Sequence, residues 1–578
     1  MSGRVLPRWL LPALIPVLLA ACSDAPQSDA AELVLRNGRI VTVDSARPEV
    51  AALAVSGSRI VALGTDDEIA RYIGPATRVI DLAGRLAVPG FIEGHGHYLG
   101  LGEAKLSLDL MSVRSWEEIV GMVAAATRDV AADAWIVGRG WHQEKWDSVP
   151  RPNVEGVPLH GSLDAVSPRN PVYLEHASGH AAFANARALE LAGVTRDTPD
   201  PDGGTIVKDA RGEPTGLLRE TAADVVSRAM AEADARRSKA ERDADLRRMV
   251  ELAGEAALSH GVTAFVDAGV GFRTVDFLKR MESEAALPVR LYVMIRASTA
   301  ELAEKLASYR TVADSNDFLV VRSIKRSIDG ALGSHGAWLL EPYTDMSTST
   351  GLATDDPTDI ARVAQLAVEH GYQLGVHAIG DRANREVLDI YDATFRAHPD
   401  ARGLRWRIEH AQHLHPDDVK RFAPLGVIAA MQGVHATSDG PWIPRRLGEE
   451  RARTGAYVWR DLLSSGVRIA NGTDVPVEAI DPIASYYASV SRRMNTGEVF
   501  YPDQRMTREE ALRSYTLDAA YGMFAEDQIG SLAVGKLADI AVLSQDILRV
   551  PEARIPATEV DVTIVGGVVR YERGSAAP

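Results

Sequence analysis

Eight β-rich runs alternate with helical stretches through the middle of this 578-residue chain, and the unusual polar residues gather where the runs end. With turn-punctuated β segments at both chain ends, these observations predict an α/β fold. It is a (β/α)8 TIM-like barrel, with a small β-sandwich built from both termini. In order, the runs are "LAVPGFIEGHGH", "GVTAFVDAGV", "PVRLYVMIRAS", "FLVVRSIKRSIDG", "YQLGVHAIG", "RWRIEHAQ", "GVIAAMQGVH" and "GVRIANGTDVP". Stretches such as "DIARVAQLAVEH" and "DRANREVLDIYDATF" carry the helical pattern between them.

The first connection is too long for a βα loop, since run one ends near His97 and run two starts near His260. An inserted subdomain is therefore expected over 99–228, and "AEADARRSKAERDADLRRMVELAGEAALSH" reads as the helix returning to the barrel. "ELVLRNGRIVTVD" and "EVAALAVSGSRIVALG" near the start have the alternation of hairpins, and "GSLAVGKLADIAVLSQD" repeats that texture near the end. The barrel then spans 87–523, and 32–86 joins 524–574 as the sandwich.

A formal net charge of −16 with no Lys/Arg-rich run excludes a nucleic-acid surface. Residues 1–21 pair a basic start (Arg4, Arg8) with an apolar core too short to span a bilayer, as an export signal does. Cys22 is the only cysteine, so no intramolecular disulfide can form. It closes "LAAC", which resembles the lipobox of bacterial lipoproteins. That resemblance implies a lipid anchor on Cys22 and a periplasm-facing cell-envelope location, with Ser23 directing the chain to the outer membrane.

The chemistry starts at His95 and His97. On a strand, residues i and i+2 face one way, so both imidazoles converge as metal ligands must. Lys325, His377, His410 and Asp474 close runs four, five, six and eight. His377 and His410 stand 33 residues apart, the length of one βα unit. Four imidazoles and a carboxylate suit a divalent transition metal, most simply zinc. A lysine beside a metal is repelled unless carbon dioxide converts it to a carbamate, which can bridge two ions. In "NGTDVP", Gly472 is expected to let the chain turn so that Asp474 emerges at the strand end.

"PGFIEGHGH", "IKRSIDGALGS", "GVHAIGDRAN", "RIEHAQ", "NGTDVP" and "GSLAVGKLADIAVL" together resemble the metal-dependent amidohydrolase superfamily, nearest to amidohydrolase family 3, over about Glu32 to Val569. The resemblance implies two divalent metals, most simply zinc. His95 and His97 would hold one, His377 and His410 the other, with carbamylated Lys325 as bridge. Asp474 would complete the first site and act as base. It further implies hydrolysis of a small-molecule amide-type C–N bond, in an N-acyl or N-formyl amine or a cyclic amide. A metallo-dipeptidase, a lactone or ester hydrolase and a non-catalytic envelope lipoprotein are the rival readings, and homo-oligomerisation stays open. Two departures stand out: Glu93 occupies a position more often Asp, and His335 one often Arg. His335 is expected on the substrate side of a loop long enough to carry a lid, "GALGSHGAWLLEPYTDMSTSTGLATDD". His435 is expected at the end of run seven, against the substrate carbonyl. His180, Asn185 and Trp141, His142 and Gln143 of "GWHQEKW" are candidates for the pocket wall.

Overall fold

The computed structural model describes residues 1, 3 and 30–578, apart from 144–145, 177–180, 202–203, 312–317 and 576–578. Eight parallel strands form a nearly closed barrel in sequence order: β1 (Phe91–Gly96), β2 (Val262–Val270), β3 (Arg290–Ile295), β4 (Leu319–Ser327), β5 (Gln373–Ala378), β6 (Arg407–His410), β7 (Ile428–Gln432) and β8 (Ile469–Gly472). Inside it Ile92, Val266, Tyr292, Met294, Ile428 and Ala470 are buried together, before the strand ends that carry the polar residues. The register sets those ends level: Lys325 lies opposite Gly375, Ser327 opposite His377, and His377 opposite Glu409.

The surrounding helices follow from local signals. Pro357–His370 starts with Asp356 capping the Thr358 N–H and Pro357 in the first turn, and stops at Gly371 in the left-handed region (φ 71°). Asp381–Ala397 buries Val387, Leu388, Tyr391 and Phe395, an apolar stripe at helical spacing packed on the barrel.

Two expected elements divide. The run "LAVPGFIEGHGH" is two strands: Leu86–Pro89 pairs antiparallel with Ile540–Leu543 in another sheet, and β1 begins after Gly90. A Cβ on Gly90 would lie 2.2 Å from Thr263 Oγ1, so only glycine lets the chain change sheets there. The long return helix is likewise two, Ala223–Arg236 and Lys239–Ser259. Ser238 and Glu241 form a capping box that starts the second, and this satisfies N–H groups a continuous helix would not expose.

Strands from both chain ends share one six-stranded sheet, and a four-stranded sheet lies alongside it in sequence. Leu35, Leu53, Ile540, Val562 and Ile564 belong to one buried apolar cluster joining the two. This part is fastened to the barrel by a buried ion pair, Arg290 Nε to Asp539 Oδ2 at 2.8 Å. Between β1 and β2 in sequence, six strands from Leu108 to Glu220 form a separate sheet with its own core of Trp116, Trp141, Trp146 and Phe183. Among the described residues no helix is long and apolar enough to cross a membrane.

Candidate metal centre

His95 and His97 leave the end of β1, with His95 fully buried and His97 half-buried. Their Nε2 atoms lie 3.5 and 3.3 Å from Asp474 Oδ1. His410 packs against both neighbouring imidazoles, its ring centroid 4.7 Å from that of His95 and 4.4 Å from that of His377. Ligand atoms of His95, His410 and Asp474 all fall within 4.8 Å of one another. Lys325 on β4 is buried among them, close enough for its charge to act on His95, His377 and His410.

Backbone conformation at the site is unusual. His410 (φ 73°), Ala411 (φ 42°) and Asp474 (φ 60°) sit in the left-handed region, which non-glycine residues enter at a cost and which concentrates at functional sites. The turn expected of Gly472 is therefore made by Asp474 itself. Gly472 is required for a different reason: a Cβ there would lie 2.3 Å from Glu93 Oε1 and 2.6 Å from the His95 nitrogen.

The residues fit a divalent ion. His95 Nε2 and His377 Nε2 are buried without a hydrogen-bond partner, an arrangement costly unless something else meets them, and Asp474 Oδ1 faces the His97 and His95 nitrogens. Their protonation states suit ligation. Burial first, then the Lys325 charge, lowers His95 to about 4 and His377 to about 3, so both rings are neutral. Burial opposes ionisation of Asp474, but the His97 hydrogen bond and the His95, His410 and His435 rings outweigh it and hold the carboxyl far below its usual range.

Outer partners orient these side chains, and the sequence did not disclose them. His95 Nδ1 meets the Glu409 carboxylate, which is itself held by Arg407. His410 Nδ1 donates to Gln432 Oε1 at 2.9 Å. His95 therefore presents Nε2 to the site, as a ligating histidine does when its second nitrogen is occupied, while His410 Nδ1 also lies 4.0 Å from Asp474 Oδ2. Asp329 lies 3.5 Å from His377 Nε2 and accepts N–H bonds from Trp338, Ile379 and Gly380. Asp267, within β2 and opposite Gly96, is buried with Oδ2 unpartnered near His97. Only position could have flagged them: Glu409 directly precedes His410, Asp329 follows β4 by two residues, and Asp267 lies in β2 level with Gly96.

The other candidates distribute differently. His435 is not a strand end; it rides the first turn of a helix, Gly433–Asp439, directly after β7. Its ring is stacked nearly parallel to His410 at 6.4 Å, with Nε2 buried and unpartnered. His335 (φ 59°) turns to Asp345, 3.1 Å away, inside the long loop after β4. That loop is pinned rather than loose: Arg446 binds Asp345 and the Gly333 carbonyl, and Trp338 N–H is held by Asp329. Asn185 packs as the cap of helix Ala186–Leu191 and binds Val172, Ser167 and Asn170. Trp141 donates to the Leu174 carbonyl inside the inserted sheet's core, where His142 and Gln143 contact His176. His180 and Cys22 lie outside the described residues.

A parallel barrel with imidazoles and a carboxylate converging at its strand ends defines a metal-dependent hydrolase. Residues 78–571 match the Amidohydrolase family, and the chain belongs to it. It is a metal-dependent amidohydrolase, acting on carbon–nitrogen bonds. Among similar proteins, Protein LONG AFTER FAR-RED 3 of Arabidopsis thaliana is 34% identical, covering 94% of this chain and 92% of its own. N-substituted formamide deformylase of Arthrobacter pascens is 29% identical, over 94% and 98% respectively. A crystal structure of an uncharacterized metal-dependent hydrolase from Pyrococcus furiosus superposes with a TM-score of 0.73, at 30% identity, over 89% of this chain and all of that one.

Proposed function

We propose that this enzyme hydrolyses a non-peptide amide, an N-acyl or N-formyl amine or a cyclic amide, at a centre of two zinc ions. The observation that carries the reading is the convergence of His95, His410 and Asp474, whose ligand atoms lie within 4.8 Å of one another, with buried His377 packed against His410. His95, His97 and Asp474 would hold one ion, and His377 and His410 the other. Burial lowers Lys325 to about 8, which leaves neutral amine available near neutral pH. The neutral amine adds to carbon dioxide and releases one proton, giving a carbamate that would bridge the two ions.

A bound divalent ion supplies Lewis acidity, lowering the pKa of a coordinated water and drawing charge from a carbonyl oxygen. The chain does the rest. Asp474, ionised, accepts the proton of the attacking water as its oxygen bonds to the carbonyl carbon. It returns that proton to nitrogen as the C–N bond breaks, leaving a carboxylic acid and a free amine. His435 Nε2, buried and unpartnered beside His410, would hydrogen-bond the substrate carbonyl.

The test is zinc-loaded protein assayed against formamides, longer N-acyl amines, cyclic amides, dipeptides and lactones. Turnover confined to dipeptides or lactones overturns the amide reading. We also read 32–86 with 524–574 as a composite β-sandwich and 99–228 as an inserted subdomain; the apolar core shared between end strands supports the first. "LAAC" after an apolar stretch supports an outer-membrane lipoprotein. A Cys22→Ser variant that still fractionates with membranes would remove that reading.

A further inference from the structure

We propose that Glu93 is a positioning residue, a strut whose carboxyl group spans the seam between β1 and β8 and holds Asp474 in place. The proposal rests on Asp474 being the site's ligand and proton carrier.

At this seam the two strand ends touch backbone to backbone. Asp474 N–H donates to the His95 carbonyl at 2.8 Å and His97 N–H to the Val475 carbonyl at 2.7 Å. A Cβ on Gly94 would lie 2.3 Å from the Asn471 carbonyl oxygen, and one on Gly472 2.3 Å from Glu93 Oε1. Glu93, fully buried, fills the space below His95 on the same face of β1. Both of its oxygens meet Thr473, the residue after β8: Thr473 N–H donates to Oε1 at 2.6 Å and the Thr473 hydroxyl to Oε2 at 2.9 Å, and the His95 N–H also approaches Oε1 at 3.4 Å. That hydroxyl also accepts the Val475 N–H at 3.3 Å. Thr473 and Val475 flank Asp474, whose left-handed φ of 60° costs a non-glycine residue energy that the surrounding contacts must offset. The strut supplies such contacts from a strand 380 residues away in the chain.

Reach is the property that matters. An aspartate is shorter by one carbon–carbon bond, about 1.5 Å, and would leave both Thr473 donors without an acceptor. A glutamine keeps the reach and one accepting oxygen.

The experiment measures hydrogen exchange of the 470–477 segment in metal-free protein, and zinc affinity and steady-state kinetics in loaded protein, for Glu93→Asp, Glu93→Gln and Thr473→Val. We expect Glu93→Asp to speed exchange of that segment. It should also weaken zinc binding and lower kcat by roughly 10–100-fold, the range for losing an outer partner of a metal ligand, with KM little changed. Glu93→Gln should restore most of each property. Thr473→Val, which removes only the hydroxyl, should lie between wild type and Glu93→Asp, and it provides the test if the aspartate variant does not fold. Unchanged exchange in Glu93→Asp, or a Gln variant as impaired as the Asp variant, overturns the strut. The exchange arm reads out whether or not any amide is turned over, so failure of the proposed activity would be seen separately.

Discussion

The Glu409 carboxylate holds the Nδ1 side of His95, and the two lie 314 residues apart in sequence. Arg407 holds the same carboxylate from behind, donating to Oε2 at 2.9 Å and to the Gly94 carbonyl at 2.7 Å. All three side chains are buried, so the pair orients a ligand and also neutralises an arginine inside the barrel. Burial opposes ionisation of Glu409, but Arg407 and His95 outweigh it and keep the group charged.

Glu409→Gln should therefore weaken zinc binding by about 10–100-fold, as loss of an outer-shell partner does. Both variants leave the Arg407 charge buried without its counter-charge; Glu409→Ala, which also removes the accepting oxygens, should destabilise the fold by about 3–5 kcal/mol and Glu409→Gln by less. Zinc titration and urea unfolding of the metal-free protein separate the two effects.

Asp474→Asn preserves shape and one coordinating oxygen but cannot take a proton. A drop in kcat of about 10²–10⁴ or more is expected, with most metal retained. Metal content and turnover measured on one preparation check this. A metal-replete Asn variant with near wild-type turnover would assign the base elsewhere.

Lys325→Ala should lose metal and activity together, and acetate should restore part of both by supplying bridging oxygens. Elemental analysis with and without acetate is the measurement. A fully metallated, active Ala variant would make Lys325 structural.

Stability of the metal-free protein should fall as pH drops from about 6.5 toward 3. Unfolded histidine titrates near 6.5, whereas burial holds His95 at about 4 and His377 and His413 at about 3 in the fold. Across that window the unfolded chain binds more protons, so acid favours unfolding. His413, whose ring nitrogens are buried and unpartnered, contributes without belonging to the metal site. Urea midpoints at pH 7 and pH 5 in a chelator should show the loss, and His413→Asn should reduce the difference.

Arg290→Ala should cost about 3–5 kcal/mol by stranding Asp539 in the joint between the end-strand sheet and the barrel. Unfolding by urea should register it, with metal binding at the remote site unchanged.

The sequence by itself determined the barrel and which residues gather at its strand ends, because both are written in short-range patterns. Strand alternation aims His95 and His97 the same way, and recurring βα spacing carries His377, His410 and Asp474 to the same end of the barrel. Only tertiary structure decided the partners of those residues. Glu93 meets Thr473, Glu409 meets His95, and Gln432 meets His410 across strand gaps that no local pattern encodes. Gly472 misled for the same reason: in sequence it reads as a turn, but its small size serves close contact with β1. His435 and the division of the first run at Gly90 were likewise settled by packing. A carboxylate's role depends on which strand lies beside it, and closure of the barrel determines that neighbour.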